Sequence, residues 1–371
     1  MKNKIIYIVL GLIILSLLFT PLITDNGIVQ GIKNSTDMKA HIEAVQSDNP
    51  HYLYYGQAIL RFIMKPFAHS EYLETLYIWF NFLVLALIVL VMTSIAYKVS
   101  GKYSSYIIVF MMLWCSTGIL ALFKYGVIFN IINMYLILPM IIYLIVNWFQ
   151  SKKLWQIILA VALIIFCSII HYTGLYIAYA VMLAMIGYLI YSFWKHKKGN
   201  ILKIVVLSVI VVTVNIGLSM VFIHRAPELE STIFAEKPAI VSGVIENDSY
   251  NTEQVLTEKI YSKVTILAKY ASLAVAAILL ISTLLWSASG IGTGYLYIMG
   301  CFCVALLGGY CLEVIADYNR LALDAASMLS IFAALAIGAV MKVRNSWKFN
   351  SIVYILVAIS AVPNIIKWIG A

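Results

Sequence analysis

"WQIILAVALIIFCSIIHYTGLYIAYAVMLAMIGYLIYSFW", residues 155–194, decides the fold. It is forty residues of almost unbroken apolar chain. As one helix it would be about 60 Å long, roughly twice the thickness of a bilayer's hydrocarbon core. The only polar break near its middle is "HYTG" at 171–174. Thr173 and Gly174 suit a tight reversal, so the stretch reads as a membrane hairpin of spans 155–171 and 173–194.

Working outward, the same kind of segment recurs along the chain. Hydrophobic residues make up 63% of the 371, and charged residues only 11%. Mean hydropathy is +0.96. A soluble domain is nearer half apolar and a quarter charged. A transmembrane β-barrel would show short alternating segments, and none occur here. The sequence therefore predicts an all-α polytopic membrane protein, a single membrane domain over 1–371. The expected spans are 4–24, 75–97, 104–123, 128–149, 155–171, 173–194, 203–222, 264–286, 291–312, 324–341 and 350–367. Residues 4–24 are long for a signal-peptide core and lack a small-x-small cleavage site, so they count as the first of eleven.

Charge orients the spans. With the N-terminus inside, the inner loops carry thirteen of the 25 Lys and Arg residues and no acid. All 16 acids fall outside with the other twelve basic residues, so the formal +9 divides into +13 and −4. The expected topology is N-in and C-out. The basic balance is thus a topology signal and an attraction for anionic lipid head groups. It is not a nucleic-acid footprint, because the basic residues sit in short clusters at span ends. Two sizeable loops, 25–74 and 223–263, face outward. The five cysteines lie in or at the ends of spans, with no CxxC and no pairing framework.

The unusual polar residues gather on that outer side. In "NSTDMKAHIEA" (34–44), Ser35 or Thr36 can cap a helix and Asp37 complements its dipole. Asp37 and His41, four apart, share a face. This spacing fits an acid/base pair and equally an amphipathic helix with a solvated side. "HYLYYGQAILRFIMKPF" (51–67) reads as a second interfacial helix, with Arg61 and Lys65 snorkelling toward lipid phosphates. Lys124 in "FKYG" ends the third span, followed by Asn130 and Asn133. His171 sits at the hairpin apex, where it either caps carbonyls or meets substrate. His224 and Arg225 follow the seventh span. "DYNRLALD" (317–324) puts Asp317, Arg320 and Asp324 on one helical face, as an ion network or as a forked arginine offered to a phosphate.

The first outer loop, with "TDMKAHIEAVQSDNPHYLYYGQAIL" opening on an acid and forming helices along the membrane, resembles the C-type (GT-C) glycosyltransferases. "HYTG" after the fifth span is similar to an H-P-T-G-like turn in that superfamily. The resemblance covers residues 1–200 best. It implies a multi-pass enzyme of the cell membrane, here a bacterial plasma membrane. Such an enzyme moves a sugar from a polyprenyl-phosphate-linked donor to a glycan, lipid or protein acceptor on the extracytoplasmic side. It assigns the catalytic or metal-binding acid to Asp37, with His41 beside it and Asp48 as the candidate second acid. Lys124, His171, His224, Arg225 and Arg320 are the expected donor-phosphate contacts. A base must deprotonate the acceptor hydroxyl and positive charge must stabilise the departing phosphate. A divalent metal could fill the second role, and the sequence does not require one. Two other readings stand: an O-antigen-type polymerase joining lipid-linked glycans, and a transporter or flippase of such glycans. The latter would place charge near the bilayer midplane, where these spans carry almost none.

Overall fold

The structure is a computed structural model that describes residues 2–25, 27–48, 55–101, 112–115, 118–171, 318–344 and 346–370, with positions 173, 174, 177 and 181. The expected spans 203–222, 264–286 and 291–312, nearly all of 173–194, and the loop 223–263 lie outside the described residues. Among the described residues every regular element is a helix, with no strand. Within these residues three helices, Leu73–Val99, Ile128–Trp148 and Trp347–Gly370, are long and apolar enough to cross a membrane; a bent pair at the N-terminus makes a fourth if taken as one span. This is the make-up of an all-α membrane protein.

In chain order the helices are α1 (Lys2–Thr24), α2 (Gly27–Lys33), α3 (Thr36–Gln46), α4 (Tyr55–Met64), α5 (Leu73–Ser100), α6 (Gly118–Lys124) and α7 (Ile128–Ile131). A π turn, Ile132–Ile137, joins α7 to α8 (Leu138–Ser151). Then come α9 (Leu154–Ile170), α10 (Tyr318–Arg344) and α11 (Trp347–Gly370). The Ile128–Trp148 span is central, with 78% of its most apolar window buried; α11 is peripheral, with 22%.

Where a helix breaks, a side chain from elsewhere answers the freed backbone group. Pro21 in α1 has no N–H, so the Leu17 carbonyl four residues earlier has no helical donor. The Trp368 indole N–H of α11 takes that place at 3.1 Å. The expected span 104–123 is interrupted at Trp114 and Cys115, which are not helical. There the Trp114 carbonyl accepts from Asn364 Nδ2 at 2.7 Å. α1 and α2 meet at 65° beside Asp25, which holds a left-handed φ of 43°.

The hairpin expected at "HYTG" begins as read. α9 stops at Ile170, and His171 is extended (φ −161°, ψ 147°). Gly174 then lies directly on the Cys167 carbonyl, with no room for a Cβ. An unbroken helix would hold residues seven apart about 10 Å from each other. The chain therefore folds back at this turn.

The two ends of the bundle differ in charge. At one end Asn130 meets Asp324, Phe123 meets Phe82, and Trp368 meets Leu17. This end carries every acid among the described residues: Asp25, Asp37, Glu43, Asp48, Glu71, Glu74 and Asp324. At the other, Lys98 stands over the Tyr143 ring at 5.2 Å and the Lys342 stem lies against Gly101. Lys152, Lys153 and Lys348 belong to the same end. α4 lies at the acidic end with Leu60 and Met64 inward; Ile59, Phe62 and Ile63 are exposed, Phe62 by 86%. That is the face an interfacial helix turns to lipid.

Trp368→Phe should destabilise the protein by about 1–3 kcal/mol, because it leaves the Leu17 carbonyl unanswered in an apolar setting. In a Pro21→Ala background, where a backbone N–H returns, the same change should be mild. Thermal unfolding of the two single variants and the double variant measures this; equal losses in both backgrounds would contradict it.

Candidate functional site

Ser35 makes the acidic-end site possible. It is the N-cap of α3: its Oγ accepts from Met38 N–H at 3.1 Å and donates to the Ile32 carbonyl at 2.7 Å. One side chain thus fixes where α3 starts relative to α2. Ser35 also packs against Gly126 in the turn before α7. Gly126 has a φ of +72°, and a Cβ there would stand 2.5 Å from Ser35 Oγ, so glycine is required on both counts.

Asp37 lies in the first turn of α3, half-buried, where the helix dipole favours its charge. His41, one turn on, is 1% exposed. Its Nδ1 is 2.7 Å from the Tyr77 hydroxyl, which donates to the Gly126 carbonyl at 3.3 Å. The phenol has one proton; given to Gly126, it leaves Nδ1–H as donor to the phenol oxygen. The imidazole also meets the edge of Phe129 with ring centroids 5.2 Å apart. Burial lowers the His41 pKa from 6.5 to about 3, so the ring is neutral at physiological pH. Asp37 is near enough for its charge to act on Tyr77. His41 therefore locks α3 to α5 and α7, while Asp37 occupies the rim of the same contact.

The other expected residues divide. Lys124 ends α6, exposed, with its stem laid across Gly31 of α2. It is two residues from Gly126 and so shares the acidic end with Asp37. His171 is 3% exposed. Its Nδ1 accepts the Thr173 backbone N–H at 3.2 Å and lies 2.9 Å from Thr173 Oγ1, which places the ring proton on Nε2. Asn133 Nδ2 ties that turn to the bundle through Thr173 Oγ1 and the Cys167 carbonyl, both at 3.1 Å. Asp48 stands apart: its side chain is 96% exposed and its partner is Lys65 at 3.6 Å. Arg320 is in the first turn of α10, and nothing is described of its side chain; His224 and Arg225 lie outside the described residues.

The structure differs from the sequence reading in two further places. Arg61 does not reach outward to lipid phosphate; Nη1 bonds the Ala44 carbonyl at 3.4 Å, one of the carbonyls left over at the end of α3. Asp324 does not stand in a surface network. It is 4% exposed, with Asn130 Nδ2 at 3.2 and 3.1 Å from its two oxygens and the Tyr135 hydroxyl at 2.9 Å. Asn130 and Tyr135 are five apart, and the π turn brings both to one face.

Tyr77, Gly126, Phe129, Tyr135 and Thr173 were not singled out by sequence as site residues, although each sits beside one that was. A groove of about 430 Å³ runs along the opposite side of α3, bordered by Lys33, Lys39, Glu43, Gln46 and Glu74. Among the described residues no three His, Cys, Asp or Glu side chains converge as metal ligands. The site offers one half-buried carboxylate on a locked helix, with lysines on the adjoining elements. Compared with known proteins, the chain matches no family model, no curated protein and no solved structure.

The folded value of His41 lies below the unfolded 6.5, so the unfolded chain takes up the proton first. The stability tied to neutral His41 is complete above pH 6.5 and drains away as pH falls toward 3, by up to about 1.4 kcal/mol per pH unit. Melting temperatures from pH 7.5 to 4 should fall more steeply for the wild type than for His41→Asn. Parallel profiles would contradict the buried neutral imidazole.

Proposed function

We propose that this chain is an integral membrane glycosyltransferase of the C-type, transferring a sugar from a polyprenyl-phosphate-linked donor to a glycan, lipid or protein acceptor. The observation that carries this reading is Asp37: a carboxylate half-buried at the start of a short helix, on the acidic end of a membrane bundle. Ser35 and His41 hold that helix against Gly126 and Tyr77. A general base needs a fixed position more than it needs an unusual environment.

In the proposed step Asp37 removes the proton from the acceptor hydroxyl. The acceptor oxygen bonds to the anomeric carbon as the bond from that carbon to the phosphate oxygen breaks. The polyprenyl phosphate leaves with the electron pair, and cations stabilise its charge. Lys124, at the same end as Asp37, is one candidate, with Arg320, Arg225, His224 and His171 as further phosphate contacts. His41 serves as a positioning residue, since its ring is buried. A divalent metal, if one is used, would take part in neutralising the phosphate.

The proposed topology has eleven spans, N-in and C-out, with the acidic end facing outward. The described acids all lie at one end, while Lys98, Lys152, Lys153, Lys342 and Lys348 stand at the other with no described acid, which supports it. Fusions of a compartment-sensitive reporter should report the inside after Lys198 and the outside after Glu246. Any other pattern would remove the shared outer site. For the chemistry, purified Asp37→Asn should release polyprenyl phosphate from a sugar-loaded donor about 10²–10⁴-fold more slowly, with donor binding retained. A near wild-type rate would return Asp37 to the role of a dipole-matched residue at a helix start.

A further inference from the structure

The groove along α3 is walled by three helices. Lys33 ends α2, Lys39, Glu43 and Gln46 follow one side of α3, and Glu74 stands in the first turn of α5. At 3.6 residues per turn, positions 39, 42, 43 and 46 share a face and Asp37 lies on the opposite one. Met38 is buried and Ile42 half-buried, so the groove has an apolar floor beneath a charged rim. Its height in the bundle is set by Glu74, the second residue of the Leu73–Val99 span. That is the level at which a hydrocarbon core gives way to lipid head groups.

Two lysines and two glutamates line this groove together. A simple anion would meet both carboxylates there, and a simple cation both ammonium groups. A small molecule that carries the two charges a short distance apart suits the whole rim. Lys39 and Glu43 are four apart on α3, which puts their Cβ atoms about 5–6 Å from each other. In an ethanolamine phosphodiester two carbons separate the phosphate oxygen from the ammonium, a comparable span. Lys33 already holds Asp25 at 3.0 Å, so Lys39 is the main phosphate contact and Lys33 an auxiliary one. A primary ammonium has three N–H donors, which match the carboxylates of Glu43 and Glu74 and the amide oxygen of Gln46. A volume of about 430 Å³ takes a ligand of this size. We infer that the groove binds an ethanolamine phosphodiester, the zwitterionic head group of an ethanolamine phospholipid. The site is separate from Asp37 and does not depend on which reaction the acidic end performs.

The test titrates the purified full chain in detergent with dihexanoyl phosphatidylethanolamine and, separately, with dihexanoyl phosphatidylglycerol. The acyl chains are the same, so partition into detergent is shared and the difference reports the head group. The ethanolamine lipid should bind at least about tenfold more tightly. Glu43→Gln and Glu74→Gln should each weaken it by roughly tenfold and leave the glycerol lipid no weaker. Both glutamates are exposed, so these changes should leave the melting temperature unaltered. Lys39→Gln should weaken both lipids. Water-soluble glycerophosphoethanolamine identifies the source: binding equal to the lipid's assigns the groove to the free head group, and binding seen with the lipid alone assigns it to the membrane. Either result supports the head-group chemistry. Equal affinity for the two lipids would overturn the proposal, as would unchanged ethanolamine-lipid binding in both Glu43→Gln and Glu74→Gln.

Discussion

Lipid offers no hydrogen bonds, so backbone groups freed at breaks in the apolar interior have to be answered from within the chain. Much of the described architecture follows from that constraint. Pro21 leaves the Leu17 carbonyl open, and Trp368 crosses from the far end of the sequence to fill it. The break at Trp114 is closed by Asn364. Asn81 turns back onto the Tyr77 carbonyl of its own helix. These contacts join α11, the last helix, to α1 and to the break before α6, which apolar packing alone would leave free to slide.

The constraint acts most strongly around the first turns of α7 and the π turn that follows. His41 reaches this region through Phe129, His171 through Thr173 and Asn133, and Asp324 through Asn130 and Tyr135. A π turn spends five residues where an α-helix spends about four, which rotates Tyr135 onto the face of Asn130. Fixing this hub fixes α3, because His41 and Ser35 both brace against elements next to it. The position of Asp37 is thus set by contacts that Asp37 does not make itself.

Apolar runs and polar breaks made the described helices legible. The expected 75–97, 128–149, 155–171 and 350–367 lie within a few residues of Leu73–Ser100, Ile128–Ser151, Leu154–Ile170 and Trp347–Gly370. The cap at Ser35 and the reversal at His171 were also local signals, readable from a few neighbouring residues. What escaped were partnerships across long separations. Tyr77 is 36 positions from His41, and Asp324 is 194 from Asn130. Sequence spacing put Asp324 with Arg320, its helical neighbour, because nothing local announces a distant amide. Arg61 was given to lipid for the same reason, since an unfilled carbonyl at the end of α3 is visible only once α4 packs beside it. The polar residues within apolar stretches, Asn130, Asn133, Tyr135 and Ser327, were the available signal, and their spacing becomes coherent only with the π turn in place.

A structure of the full chain with a polyprenyl-phosphate sugar analogue bound tests the central claim most directly. The phosphate should lie at the acidic end within reach of Lys124, Arg225 or Arg320. The Asp37 carboxylate should face the anomeric carbon with space for an acceptor hydroxyl about 3 Å away. An analogue seated in the groove on the far side of α3, or at the lysine end, with Asp37 remote from the sugar, would contradict it.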